Sequence, residues 1–452
     1  MLVTAARRSA IPDETARRRG RAGSGYAADD AAATSDGPVA PAVVCFPFVG
    51  DLVGGSHRSA AKLIQNLDRE RYQPLVVLHR AEGAVAALFR AEGIAVEPAP
   101  SERALEGCSV GADAAFLVTE TLRFARFLRA RAVRIVHSND GATHATWALP
   151  TRLAGARLLW HHRKDPEAKG LRYVAPWAAH RVISVSRFAA PRPGPFSAAR
   201  KCTIVHSPFD TDAAPVDRAS CRRSLGQELR CPPETRIIGF FGNLVARKRP
   251  LMFVNAIAEM RARAPNLPIA APIFGHDQEG FAEAVRRRAE ARGVADCVRL
   301  MGFRYPPEPW IAACDVLLVP AVDEPFGRTL IEAMLLGTVV VAAASGGNLE
   351  AIRDGETGYL VPPDDAAACA GQILRVVREP ELCATVVAAA RRDALSRFGL
   401  RQHAEAIMRV YDAMLGRSAA QSPDHAGASL GAPHPEREER TTAAAREPAR
   451  VS

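Results

Sequence analysis

Short apolar runs alternate with longer amphipathic stretches along this chain, and the whole pattern occurs twice. The first set of runs is Val43–Phe48, Pro74–His79, Arg134–Ser138, Arg157–His161, Val182–Ser186 and Thr203–His206. The second is Arg236–Phe241, Ile269–Phe274, Val298–Phe303, Val316–Pro320, Val339–Ala343 and Tyr359–Val361. Several of these runs are apolar throughout, which predicts parallel strands covered on both faces. Helical periodicity follows in Pro250–Arg263, Phe281–Arg292, Arg328–Leu336 and Asp365–Val377. Strand–helix alternation of this kind predicts an α/β fold with doubly wound parallel sheets. Two blocks of roughly 165 and 200 residues exceed one ordinary core. The expected architecture is therefore two Rossmann-like domains facing a cleft, residues 40–205 and 206–399. A hinge is expected near His206–Pro215, where Pro and Asp interrupt both periodicities. Residues 1–39 and 417–452 carry few bulky apolar groups and are expected to be disordered tails.

The formal charge is +10, and its location is informative. Residues 40–205 hold 23 basic and 13 acidic groups, whereas residues 206–416 hold 25 and 26. The excess belongs to the first domain, which predicts either an anionic partner there or a solvated basic surface. The stretch Phe116–Arg131 gathers Phe116, Leu117, Phe124, Phe127 and Leu128 on one side and Arg123, Arg126 and Arg129 on the other. That pattern reads as a sheet-covering helix with a solvated face, or as a patch for anionic lipid or an anionic acceptor. No apolar run reaches the ~18 residues of a membrane-spanning helix. The nine cysteines form no C-x-x-C pair and are expected as free thiols of a reducing compartment. The N-terminus lacks the apolar segment of a secretory signal. The expected location is the cytoplasm, with association at the inner face of a membrane.

The chemistry concentrates after the run Val316–Pro320, in Asp323-Glu324-Pro325-Phe326-Gly327-Arg328-Thr329-Leu330-Ile331-Glu332. A helix beginning near Gly327 offers unsatisfied N–H groups at the sheet's C-terminal edge, a natural anion site. Glu324 falls in the loop and Glu332 inside the helix, so the two carboxylates can touch different parts of one ligand. Downstream stand Ser345-Gly346-Gly347-Asn348, Glu350, Asp354-Gly355 and Gly358-Tyr359-Leu360-Val361-Pro362. Upstream stand Phe241-Gly242-Asn243-Leu244 with Arg247-Lys248-Arg249-Pro250, and Phe274-Gly275-His276-Asp277.

This ordered series resembles family 4 of the retaining glycosyltransferases, which have the GT-B fold; the E-x7-E element is its hallmark. The resemblance is strong over residues 236–365 and weaker over 42–210. It implies a nucleoside-diphosphate sugar as donor, with no metal or other cofactor. Glu324 would contact the transferred sugar, the backbone of Phe326, Gly327, Arg328, Thr329 and Leu330 would hold the distal phosphate, and Glu332 would accept from the ribose. Lys248 matches the lysine that neutralises the leaving diphosphate. The family places an arginine where this chain has Asn243, and Arg247 is the candidate replacement. The helix Leu400–Leu415 is expected to cross back onto the first domain.

In the first domain, Val43–Phe48 leads to Gly50, Gly54, Gly55 and Ser56. Glycine permits close backbone approach, and Ser56 is placed to cap the following helix. The family has a Gly-Gly loop here facing the cleft, which makes Gly55 a donor-site candidate. The family's sugar-side histidine falls by spacing on Arg163, with His162 one residue earlier, and both stand as catalytic candidates. Asn139 and Asp140 are candidates for the acceptor, a glycan, lipid-linked or small molecule. Asp210-Thr211-Asp212 resembles a metal-binding D-x-D but sits where this family has its hinge. Alternatives are a sugar phosphorylase or epimerase of the same fold and a catalytically silent binding protein. A dehydrogenase is disfavoured because no G-x-G-x-x-G follows a first strand, and nucleic acid is not expected as a partner.

Overall fold

In the computed structural model, residues 40–105, 116–211 and 215–417 are described. Residues 1–39 and 418–452 of the expected tails, Asp212 of the D-x-D sequence, and the side chains of Phe116 and Leu117 lie outside the described residues. The first domain's strands are β1 (Ala42–Phe48), β2 (Tyr72–Leu78), β3 (Val96–Pro98), β4 (Val133–Ser138), β5 (Arg157–His162), β6 (Arg181–Ser184) and β7 (Cys202–Ile204). The second has β8 (Arg236–Phe241), β9 (Ile269–Phe274), β10 (Val298–Gly302), β11 (Val316–Val319), β12 (Val339–Ala343) and β13 (Tyr359–Val361).

The sheets run β3-β2-β1-β4-β5-β6-β7 and β10-β9-β8-β11-β12-β13, with every pairing parallel. Both are doubly wound, and strand order reverses at β1/β4 and at β8/β11. Crevices outside the carboxyl ends of strands at such reversals are where this architecture binds ligands. Each sheet is buried on both faces: residues such as Val44, Ile135 and Leu159 pack on one face of the first sheet, Cys45, Val136 and Leu158 on the other. That explains apolar runs without alternation. Among the described residues no helix is long and apolar enough to cross a membrane, and the eight described cysteines are free.

The edge strand β3 has no counterpart in the sequence reading. It is three residues long, and Glu97 and Pro98 break any apolar run. Ser56 is not the cap of the helix Gly55–Gln65. Gly54 takes that position, and its N–H donates to His57 Nδ1 (3.2 Å). The helix Thr121–Ala130 buries Phe124 and Leu128 and exposes Arg123, Arg126 and Arg129.

The last helix, Leu400–Leu415, packs on the first domain rather than the second. Ala404, Ile407, Val410, Tyr411 and Met414 are buried among residues of β1, β2 and the Gly55–Gln65 helix. Asp412 accepts from Tyr72 Oη and Arg71 Nη2, each at 2.5 Å. The helix therefore ties the chain's end to its beginning. Because Ile407 is fully buried, Ile407→Ala is expected to cost about 2–5 kcal/mol. Denaturant unfolding checks this, and an unchanged midpoint would show that the helix only rests on the surface.

Candidate functional site

The loops after β1, β4, β5, β8 and β11 converge on a cavity of about 510 Å³ between the two sheets. From the first domain it is lined by Gly55, Asn139, Asp140, His162, Arg163 and Lys164, and from the second by Arg247, Lys248, Glu324 and Phe326–Thr329.

Glu324, only 8% exposed, follows β11. Its Oε2 pairs with Lys248 Nζ at 2.8 Å and with Arg247. Burial pushes this carboxyl up, but the two cations outweigh it and hold the group below the usual carboxylate range. The turn Ser345–Asn348 fixes its backbone. Gly347 N–H donates to Glu324 O (2.7 Å), and Asp323 N–H donates to Ser345 Oγ (3.0 Å). Fully buried Asn348 donates from Nδ2 to Ala343 O (3.0 Å) and Ala321 O (3.4 Å), tying the ends of β11 and β12. A Cβ on Gly347 would lie 2.5 Å from Pro325 O, and one on Gly346 would lie 2.7 Å from Glu324 N and O.

The helix Arg328–Leu336 starts at Gly327 in a left-handed conformation (φ 55°). Leu330 N–H donates to Gly327 O (3.1 Å), and its side chain is buried in the core. Arg328 reaches the first domain, donating from Nη1 to Ser59 Oγ and to Pro208 O, each at 3.2 Å, and packing beside Gly55. It also lies 3.6 Å from Glu332. Glu332 faces a second cavity of about 460 Å³, shared with Arg58, Tyr305 and Glu308, and Arg328 lines both cavities. Burial pushes the Glu332 carboxyl above its ordinary range, Arg328 offsetting only part.

Asn243 does not line the first cavity, whereas Arg247 does, beside Lys248. Asp140 caps the helix Gly141–Ala154, accepting from Thr143 N (2.9 Å) and Thr143 Oγ1 (2.7 Å), so both carboxylate oxygens are engaged. His162 bonds Asp165 O through Nε2 (2.8 Å), which makes that nitrogen the donor. Arg163 donates to Ser207 Oγ (3.3 Å), and among the described residues no carboxylate pairs with it.

Behind Arg163 lies a buried chain that sequence reading missed. Arg163 Nη2 is 3.4 Å from His161 Nδ1, which is 3.0 Å from His137 Nε2, and His137 Nδ1 is 2.6 Å from Tyr411 Oη. Burial, followed by nearby Arg163, pushes His137, His161 and His403 down, His403 to about 3. These rings therefore stay neutral when folded. The unfolded chain takes up protons there as pH falls through about 6.5, so stability is full above that value and falls below it. Urea unfolding between about pH 7 and pH 5 is expected to show this loss, reduced in His161→Gln. At the supporting turn, Gly347→Ala is expected to cost about 1–3 kcal/mol. Gly50→Ala, where a Cβ meets nothing within 4 Å, serves as the control and should fall within ~0.5 kcal/mol. Equal effects would contradict the clamp.

Residues 235–379 match the family model described as Glycosyl transferases group 1. The D-inositol 3-phosphate glycosyltransferase of Streptomyces griseus is 36% identical over 225 residues, 47% of this chain and 46% of that protein. The chain thus spans about half the length of the curated relatives it matches. Among solved structures, Anabaena HepE in complex with UDP and glucose superposes with a TM-score of 0.67 at 21% identity, covering 82% of this chain and 99% of that one. A glycosyltransferase from Rickettsia africae gives 0.69 at 18%, covering 84% and 100%. The chain has the GT-B glycosyltransferase fold, and its residues 235–379 match the group 1 glycosyltransferase domain.

Proposed function

We propose that this chain is a retaining glycosyltransferase that moves a sugar from a nucleoside-diphosphate donor to an acceptor held against the first domain. The observation that carries this reading is the grouping of Glu324, Lys248 and Arg247 beside the start of the Arg328–Leu336 helix. Two cations and the helix's free N–H groups face one space, an arrangement suited to a diphosphate. No metal is needed for the counter-charge. HepE, solved with UDP and glucose, makes a UDP-sugar the first donor to try.

In this reading the donor spans both cavities. The ribose meets Glu332, the diphosphate meets Thr329 and Arg328 N–H with Lys248 and Arg247, and the sugar meets Glu324. Arg247 supplies the cation that Asn243 does not. A diphosphate entering the cavity competes with Glu324 for both cations and frees its oxygens to accept from sugar hydroxyls. Charge leaving with the diphosphate is then stabilised where it develops. Same-face attack, with the departing phosphate taking the acceptor proton, retains configuration without an enzymic nucleophile.

On the acceptor side, Trp160, Leu171 and Val174 give the cavity an apolar wall, while Arg163 and Lys164 give it charge. Burial and Arg328 both disfavour the Arg163 cation, so an anionic group on the acceptor would be favoured there. The curated relatives are named for D-inositol 3-phosphate, an anionic acceptor. We assign an acceptor with an anionic group beside an apolar portion, such as a lipid-linked glycan at the cytoplasmic face, in glycoconjugate or polysaccharide synthesis.

Screening UDP-, GDP- and ADP-sugars by thermal shift identifies the donor. With it, Lys248→Ala and Glu324→Ala are each expected to lower kcat by about 10²–10³ while leaving the unfolding cooperative. Undiminished turnover in both variants would overturn the assignment.

A further inference from the structure

One flank of the first domain exposes what a solvated surface ordinarily buries. Tyr173, Trp177 and Phe196 are 61%, 67% and 73% exposed, and Leu149 and Leu153 also face outward. Trp177 and Phe196 stack on each other with ring centroids 6.2 Å apart. Single exposed apolar residues mean little, but a group of aromatic ones marks an interaction surface.

Cations thread through this group. Arg152 Nη1 donates to Trp177 O (2.7 Å), Lys201 Nζ to Pro176 O (2.7 Å) and Ala179 O (2.9 Å), and Arg129 to Leu153 O. Arg172 sits over the Tyr173 ring at 5.4 Å. These bonds go to neutral carbonyls, which leave the charge uncompensated. Glu167 supplies ion pairs at the margin, to Arg172 (3.4 Å) and Arg192 (3.1 Å). The resulting field is felt locally: burial, then Arg152, Arg157, Lys201 and Arg181, push His180 down.

We propose that this flank docks on an anionic lipid bilayer, with Trp177 and Phe196 entering the headgroup boundary and the surrounding arginines meeting lipid phosphates. Protruding amphipathic rings among basic side chains suit a planar interface, where the rings find apolar matter and the cations find anionic headgroups. The basic excess of residues 40–205 is thereby given a location. The expected lipid patch on the Phe116–Arg131 helix becomes its edge, through Arg129. Val174 lines the main cavity and Trp177 stands three residues further on, roughly 4.5 Å of helical rise. Docking would place the bilayer beside the acceptor wall. Its use in presenting a lipid-linked acceptor rests on the function proposed above, but the docking itself does not.

Sedimentation of the full chain with phosphatidylcholine vesicles, with and without phosphatidylglycerol, tests this. Binding is expected only to the anionic vesicles. It should fall about tenfold or more in Trp177→Ser/Phe196→Ser and in Arg152→Glu/Arg181→Glu, with unchanged melting temperature and unchanged donor binding. No association with anionic vesicles, or association equal in the variants, would overturn the proposal. So would a dimer, seen by light scattering, that Trp177→Ser dissolves, because the patch would then be covered by a second copy. Donor binding is read separately, so failure here is distinguishable from failure of the transferase reading.

Discussion

A buried carboxylate is costly unless cations and hydrogen bonds compensate it, and Glu324 is such a group at the end of β11. Lys248 and Arg247, from the loop after β8, provide the compensation. The pairing links the two strands at which the second sheet reverses its order. It also fixes two cations a short distance from the helix start at Gly327. The turn at Gly346 and Gly347 holds the loop from below through backbone contacts that leave no room for a side chain. Moving Glu324 would therefore disturb the cations, the loop and the helix start together.

The two domains are held by contacts of the same kind. Glu350 accepts from the N–H groups of Arg187 and Phe188 at 2.8 Å each. At the hinge, His206 stacks on Phe326 with centroids 4.9 Å apart. Arg328 crosses to Ser59 and Pro208 and lies over the Phe209 ring at 4.4 Å. Because Arg328 lines both cavities, Glu324 and Glu332 face separate compartments on either side of it. The His137–His161–Arg163 chain, anchored by Tyr411 of the last helix, supports the opposite wall.

Twelve of the thirteen strands among the described residues were legible in the sequence, because buried parallel strands write uninterrupted apolar runs. Their order within each sheet was not legible, because pairing joins strands that are distant in sequence. The exception, β3, is short and polar enough to write no run. Glu324 and the helix start were legible because loop, cap and helix are local in sequence, whereas Lys248, from the loop after β8, was reached only through the resemblance. Less legible were contacts closed by the fold: Arg328 with Ser59 joins positions 269 residues apart, and His137 with Tyr411 joins positions 274 apart. Asp140 shows a different limit. Asp140 lines the cavity as read, but its capping of the following helix through Thr143 was not legible, because no periodicity marks a cap of this kind.

The central claim is that Lys248 and Arg247 act on one diphosphate. A double-mutant cycle in donor binding, measured by calorimetry with UDP on Lys248→Ala, Arg247→Ala and the pair, addresses it most directly. Each single change is expected to weaken UDP about tenfold or more, and the double change to cost less than the sum, because the two cations share a ligand. UDP affinity unaffected by either change would contradict the account.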